Sequence, residues 1–174
     1  MTRRTAMIVL PPSQVSCAQP NWVQRVGIAA QAWVARLTGL NIGVGVGGSA
    51  GAGIGAGVGY GASRQMVVSP SGQAAIVTTF SSAGGPYNFF GPVLGIGVLG
   101  GLQLSIGSAT TSPDQLAQPA LDVAVGGGYG YGGGADLSLP ASGGWQLNLT
   151  GGGALGGYGG AGSIVNATAT PVCH

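Results

Sequence analysis

The residues able to do chemistry are few in this sequence, and their positions argue against catalysis. The one histidine, His174, is the last residue and follows Cys173. A Ser–His–Asp or Cys–His set needs a base held in hydrogen-bond geometry by its surroundings, which a chain end does not supply. The acidic residues are Asp114, Asp122 and Asp136. Asp122 and Asp136 fall in strand-like segments on the glycine side, where they can meet across a curled sheet. They read as a polar pair that satisfies backbone groups, not as the two carboxylates of a glycoside hydrolase. Gly43-Val44-Gly45-Val46-Gly47-Gly48 has the form of a dinucleotide fingerprint. No helix follows it, however, and no acidic residue stands about 20 positions on. A phosphate loop needs a lysine, and there is none. Gly132-Gly133-Gly134-Ala135-Asp136 partly matches a calcium-binding repeat that works only in stacked copies. No Cys/His cluster suits zinc. The expectation is a protein that is not an enzyme, with no catalytic, cofactor-binding or metal-binding residues and no small-molecule substrate. Two glycosylation sequons start at Asn148 and Asn166. Asn148 lies inside an expected strand, so they read as chance occurrences.

Composition points to an unusual surface. The chain has 174 residues, 38 of them glycine, and only 5% are charged, against about 25% in an ordinary soluble domain. A water-facing surface carries many more charges of both signs. Lipid, another copy of the chain or a larger parent protein is therefore expected to cover part of it. The net charge of +2 is too small and scattered for nucleic-acid binding. The 45% hydrophobic content excludes a disordered chain. Cys17 and Cys173 form a disulfide in an oxidising compartment or stay free thiols in a reducing one. The apolar run Ala6–Leu10 after Arg3 and Arg4 is cut by Pro11 and Pro12. It is shorter than a secretory core of about 7–15 residues, so no standard signal peptide is expected. No run of about 20 apolar helix-forming residues suggests a transmembrane helix.

Four regions follow along the chain. Residues 1–20 read as an irregular arm, 21–39 as the one substantial helix, 40–166 as a glycine-rich β domain and 167–174 as a tail. Asn21 and Gln24 are placed to cap the helix start, and Gly39 its end. Trp22, Val26, Ala29, Ala30, Trp33, Val34 and Leu37 recur at helical spacing. The amphipathic helix is expected to dock on the sheet, or plug a barrel, through Trp22, Trp33 and Leu37. The rival reading is an interfacial membrane helix with tryptophan anchors.

From Leu40 the period changes from helical to 2, the period of a strand. In residues 42–62 the even positions are small and apolar, and the odd ones are glycine except Ser49. The pattern recurs with Leu94, Ile96, Val98, Leu102, Leu104 and Ile106. It returns with Leu121, Val123, Val125, Tyr129, Tyr131, Leu137 and Leu139, and once more with Trp145, Leu147, Leu149 and Leu155. The glycine face, including Gly43, Gly45, Gly55, Gly57, Gly59, Gly128, Gly130 and Gly132, is expected to pack closely rather than face water. Ser69-Pro70-Ser71-Gly72 and Pro140-Ala141-Ser142-Gly143-Gly144 are turns. They suggest a loose internal duplication of residues 42–85 and 121–165. The longest runs must bend, at Gly47-Gly48, Gly100-Gly101, Gly126–Gly128 and Gly151–Gly153. Ser112-Pro113-Asp114-Gln115 reads as the start of a short helical crossing. The fold class is all-β: antiparallel glycine-rich hairpins curled into a barrel or sandwich, with one N-terminal amphipathic helix.

Gly43–Gly47, the turn Ser69–Gln73, the loop Pro86-Tyr87-Asn88-Phe89-Phe90-Gly91-Pro92 and the hairpin around Ser142-Gly143-Gly144 make residues 41–165 resemble the glycine-rich β modules near the C-terminal ends of Rhs-type and other polymorphic-toxin proteins of bacteria. Residues 49–63 are similar, more locally, to the crystalline repeat of silk fibroin. The first resemblance implies a secreted or surface setting, extracellular or at the cell surface, and carries no catalytic motif. Two functions are compatible with these observations. The preferred one is a structural or self-assembling module whose apolar faces form a core and whose partners are copies of itself or a larger parent. The alternative is a membrane-inserting β-barrel or pore-forming toxin module with apolar faces outward. The structural reading is preferred because a lumen of bare glycine offers little polar lining.

Overall fold

The computed structural model describes residues 17–54, 56–83, 93–109, 113, 120–141 and 143–173. Most of the arm, the aromatic loop 86–92, Asp114, Gly55 and His174 lie outside them.

The helix α1 (Trp22–Thr38) is set by its ends. Asn21 Oδ1 accepts from Gln24 N at 2.9 Å, and Asn21 N donates to Gln24 Oε1 at 2.9 Å. This reciprocal box satisfies two of the donors that a helix start leaves over. Gly39 ends the helix in the left-handed region (φ 69°) and donates to Ala35 O at 2.8 Å, a conformation that costs glycine least.

Six antiparallel strands follow: β1 (Leu40–Ile54), β2 (Ala56–Val68), β3 (Ala74–Ala83), β4 (Val93–Ser108), β5 (Ala120–Pro140) and β6 (Gln146–Pro171). They form one sheet in the order β3-β2-β1-β4-β6-β5, with β3 also paired to β6. The long glycine alternation of 42–62 is not one strand. It reverses after Ile54, so that Ile54 pairs with Ala56 and Ile42 with Val68. Alternation alone carries no sign of that reversal. The Ser69–Gly72 turn closes through Gly72 N to Ser69 O at 2.9 Å and Ser69 N to Gln73 O at 2.9 Å. The second turn joins β5 to β6, with Gly143 N donating to Pro140 O at 3.0 Å.

β5 and β6 are too long to run straight. β5 arches inward on itself: Ser138 Oγ donates to Asp122 Oδ1 at 3.0 Å, and a Cβ on Gly126 would lie 3.5 Å from Gly134 Cα. β6 follows the outside of the arch, in register from Ala120–Val165 to Ser138–Gln146, with a bulge opposite Asp122/Val123. Along the way β6 pairs with β4 over Gln146–Gly160 and with β3 over Ile164–Pro171.

Val67, Ala75, Val77, Leu99 and Ala154 are buried on the inner side of the sheet, and a second small apolar cluster lies under α1. Val68, Ala74 and Val172 are buried there, with Ile28, Ala32 and Ile76 packed against them. Gln31 and Ala35 complete the contact face, and Gln31 Nε2 donates to Met66 O at 3.1 Å. Docking through Trp22, Trp33 and Leu37 is not what the structure has: they are 77%, 65% and 67% exposed. The helix carries apolar residues on two sides. Its small side, Ile28-Ala32-Ala35, allows close approach to the sheet, while the tryptophan side points away. Cys17 and Cys173 form a disulfide with Cα atoms 5.3 Å apart across a sequence separation of 156. Beside it, Ala18 makes a parallel bridge to Val172. The start of α1 is thus fastened to the end of β6.

Two outcomes follow. Ala35→Leu should cost about 1–3 kcal/mol by overpacking a closed contact, whereas Ala30→Leu, on the exposed side, should stay within about 0.5 kcal/mol; equal costs in denaturant melts would contradict this docking face. Replacing both cysteines with serine should lower stability by about 5 kcal/mol, the chain-entropy value for so long a loop; an unchanged melt would show that the link does not constrain the unfolded chain.

Candidate functional site

The period-2 pattern sorts side chains onto two faces, and the sheet wraps around the polar one. On the outward face the strands align in rows. Tyr60, Ala50, Val98, Leu155 and Tyr129 are neighbours in register across β2, β1, β4, β6 and β5. The next row runs Phe80, Ala62, Gly48, Gly100, Gly153, Tyr131. Outward apolar side chains of every one of these strands are open to the surroundings, among them Val46, Tyr60, Phe80, Ile96, Leu102, Tyr131 and Leu155. The apolar faces do not form a core, contrary to the structural reading of the sequence. Among the described residues, the outer face is buried only near α1, at Ile42, Val68 and Ala74.

The inward face holds a polar cluster. Gln65, Gln103, Ser105, Asp122, Gln146 and Asn148 are all buried. Gln65 Nε2 donates to Gln103 Oε1 at 2.9 Å and approaches Asn148 Oδ1 at 3.3 Å. Ser105 Oγ donates to Gln65 Oε1. Gln146 Nε2 donates to Asn148 Oδ1 at 2.8 Å, and Asn148 Nδ2 to Asp136 Oδ1 at 2.6 Å. Ser63 and Thr79 share a hydrogen bond of 2.7 Å, and Ser49 bonds Tyr158. Five strands, β2 to β6, therefore contribute to the network around Gln65, and β1 adds the Ser49–Tyr158 bond to the interior. Two cavities of about 50 and 40 Å³ remain beside Asp122 and Asp136, room for a few waters each. Asn148 is part of this interior, which a glycan on its sequon could not enter.

The glycine stripe of β1 is what lets the cluster form. Gly45 pairs with Gln65 on one side and Gln103 on the other. Strands two apart are separated by nearly 10 Å, a gap that two glutamine side chains bridge only over a bare strand. A Cβ on Gly43 would lie 2.9 Å from both Gln65 Oε1 and Ser105 Cβ, and one on Gly47 would lie 2.7 Å from Gln103 Oε1. A Cβ on Gly45 would overlap the backbone of Arg64. In the β5 arch, a Cβ on Gly128 would lie 2.6 Å from Gly132 Cα, and one on Gly132 would lie 2.5 Å from Ala154 Cβ. Gly130 differs from the expected packed face: it has open space around it, because it sits at the crown of the arch. Gly57 and Gly59 lie in β2, where Gly59 is half-buried. Gly55 is outside the described residues.

The cluster residues themselves carried a signal in the sequence. Ser63, Gln65, Gln103, Ser105, Gln146 and Asn148 are the polar members of the same alternation that places the glycines. Set among glycines, each looks like an interruption, although together they mark the inner side. Asp122 and Asp136 do come together in the structure: their side chains hydrogen-bond each other, and Ser138 hydrogen-bonds both.

Comparison with protein-family models, with curated proteins and with solved structures finds no match.

Inward and outward glycines should respond oppositely to a side chain. Gly101 would meet the backbone of Gly151 and Gly152, whereas Gly151 has nothing within 4 Å. Gly101→Ala should destabilise by about 1–3 kcal/mol and Gly151→Ala by no more than about 0.5 kcal/mol. Equal effects in thermal melts would mean that the two glycine sets do not differ in packing.

Proposed function

We propose that this chain is a membrane-embedded β module, non-catalytic, whose sheet curls into a small barrel with its apolar face toward lipid and its polar face inside. The observation that carries the reading is the inversion of polarity: buried Gln65, Gln103, Asn148 and Asp122 inside, exposed Val46, Ile96, Leu102 and Leu155 outside. In water that arrangement exposes apolar area at about 25 cal/mol per Å² and hides polar groups that water would solvate. In a bilayer both terms change sign. Apolar-out, polar-in alternation along antiparallel strands is the signature of transmembrane β-structure.

Several features support it. No helix among the described residues is long and apolar enough to cross a membrane, and the proposed crossing uses the strands. β4 keeps exposed apolar residues outward from Ile96 to Leu104, close to the roughly 9–11 residues that a membrane strand needs. The double pairing of β6 with β4 and β3 supports a curled form. The tight inner side chains and small cavities favour a filled interior over a conducting pore. The Cys17–Cys173 disulfide suits an oxidising compartment and a cell-surface or outer-membrane location. The likeness to secreted bacterial toxin modules is compatible with that setting.

A second reading, self-assembly, rests on β5, whose one partner among the described strands is β6. A sheet edge with scarce charge invites pairing with another copy.

Refolding into phospholipid vesicles separates the two. The embedding reading expects co-flotation with vesicles, protection of the strands from protease, and no release of a trapped dye. Val98→Arg, on the outward face of β4, should reduce insertion by about 2–4 kcal/mol. A chain that stays out of vesicles and instead forms larger species with rising concentration in buffer would overturn embedding in favour of self-assembly.

A further inference from the structure

We infer that α1 is a membrane-surface anchor: its outward stripe of Trp22, Val26, Trp33 and Leu37 beds into the headgroup layer of a bilayer containing anionic phospholipid, and Arg25 and Arg36 engage the lipid phosphates. The inference rests on the embedding proposed above and adds to it which part of the chain meets the lipid surface and with what chemistry.

The first support is the division of the helix into two apolar sides. One side, Ile28-Gln31-Ala32-Ala35, is spent on the sheet. The other is open, and its large residues are among the most exposed in the chain. Water offers no reason to keep two tryptophans and a leucine on the free side of a helix that is already docked.

The second is a repeat. Trp22-Val23-Gln24-Arg25 recurs as Trp33-Val34-Ala35-Arg36, eleven residues on. Eleven residues make very nearly three helical turns, so the two tryptophans stand in line along the helix, and so do the two arginines on the flank beside them. Each unit pairs an amphipathic ring, which prefers the water–lipid boundary, with a cation one turn further on. α1 contains no acidic residue, and both arginines are exposed. A surface facing this helix is therefore asked for negative charge and for a shallow apolar layer, and an anionic bilayer supplies both.

The third is position. α1 lies on the outer face of the sheet, over Ile42, Val68 and Ala74, at one end of the strands. Immediately beyond it the outward side chains Val44 and Val46 are exposed, so the helix stripe continues the apolar band at its margin. The disulfide to Cys173 and the Ala18–Val172 bridge hold the helix start there.

The test uses the full chain refolded with vesicles, in variants that keep one helix tryptophan at a time (Trp22→Phe with Trp145→Phe, and Trp33→Phe with Trp145→Phe). The expected result is a blue-shifted emission, reduced acrylamide quenching, and strongest quenching by lipids brominated near the glycerol end. Vesicles with anionic phospholipid should protect at lower lipid concentration than zwitterionic ones. Arg25→Gln and Arg36→Gln should each raise the half-protecting anionic lipid concentration about fivefold. If protease protection shows the sheet inserted while both tryptophans remain as quenchable as in buffer, the anchor is wrong and the embedding stands. If the sheet does not insert, both fall. Protection that appears without lipid and grows with protein concentration would assign the stripe to a second copy and overturn the anchor.

Discussion

Gln65 and Gln103 belong to strands that are not neighbours, yet their amides meet, because the strand between them has no side chain at position 45. Much of the remaining architecture depends on that contact. A side chain on Gly43, Gly45 or Gly47 would strike the amides or the adjoining backbone. The sheet would then have to open, and Asn148, Gln146 and Asp136 would lose the partners that satisfy them. Buried polar groups are costly unless bonded. Here the cluster is bonded across five strands, so a tight inner radius and a polar interior are mutually dependent. Glycine serves this fold as floor space, and its cost in chain entropy is offset by the hydrogen bonds it permits.

The same alternation leaves the other face no choice. Apart from a few buried apolar residues such as Val67, Val77 and Leu99, the inward positions are glycine or polar, and the valines, leucines and tyrosines between them point outward. With five cationic and three acidic residues in the whole chain, little charge is available to make that exterior compatible with water. The proposed lipid environment resolves this without any change in the sheet, since it asks of the outer face only that it be apolar.

The helix and the disulfide act at one end of this arrangement. α1 covers the last outward row of the sheet with alanine and isoleucine, and the Cys17–Cys173 link returns the chain start to the end of β6. This is where an apolar cluster joins the helix to the sheet. It is also where the helix presents a second, uncovered apolar side, which ties the local packing to the proposed surface anchoring.

Local features were legible from the residues. The Asn21–Gln24 box, the Gly39 cap, the Ser69–Gly72 turn and the change from helical to period-2 spacing each depend on interactions within a few positions, and the antiparallel β class with one helix follows from them. What depends on long-range pairing was not legible. Nothing local distinguishes the reversal after Ile54 from continued alternation, or shows which apolar side of α1 meets the sheet. Period 2 divides residues into two sets but does not say which set is inside, because that is decided by the direction in which the sheet curls. Gln103 and Asn148 lie 38 and 83 residues beyond Gln65 along the chain, and only the folded sheet brings them together. The residues determined an alternating antiparallel chain with a capped helix; the tertiary structure decided that its polar side would be the interior.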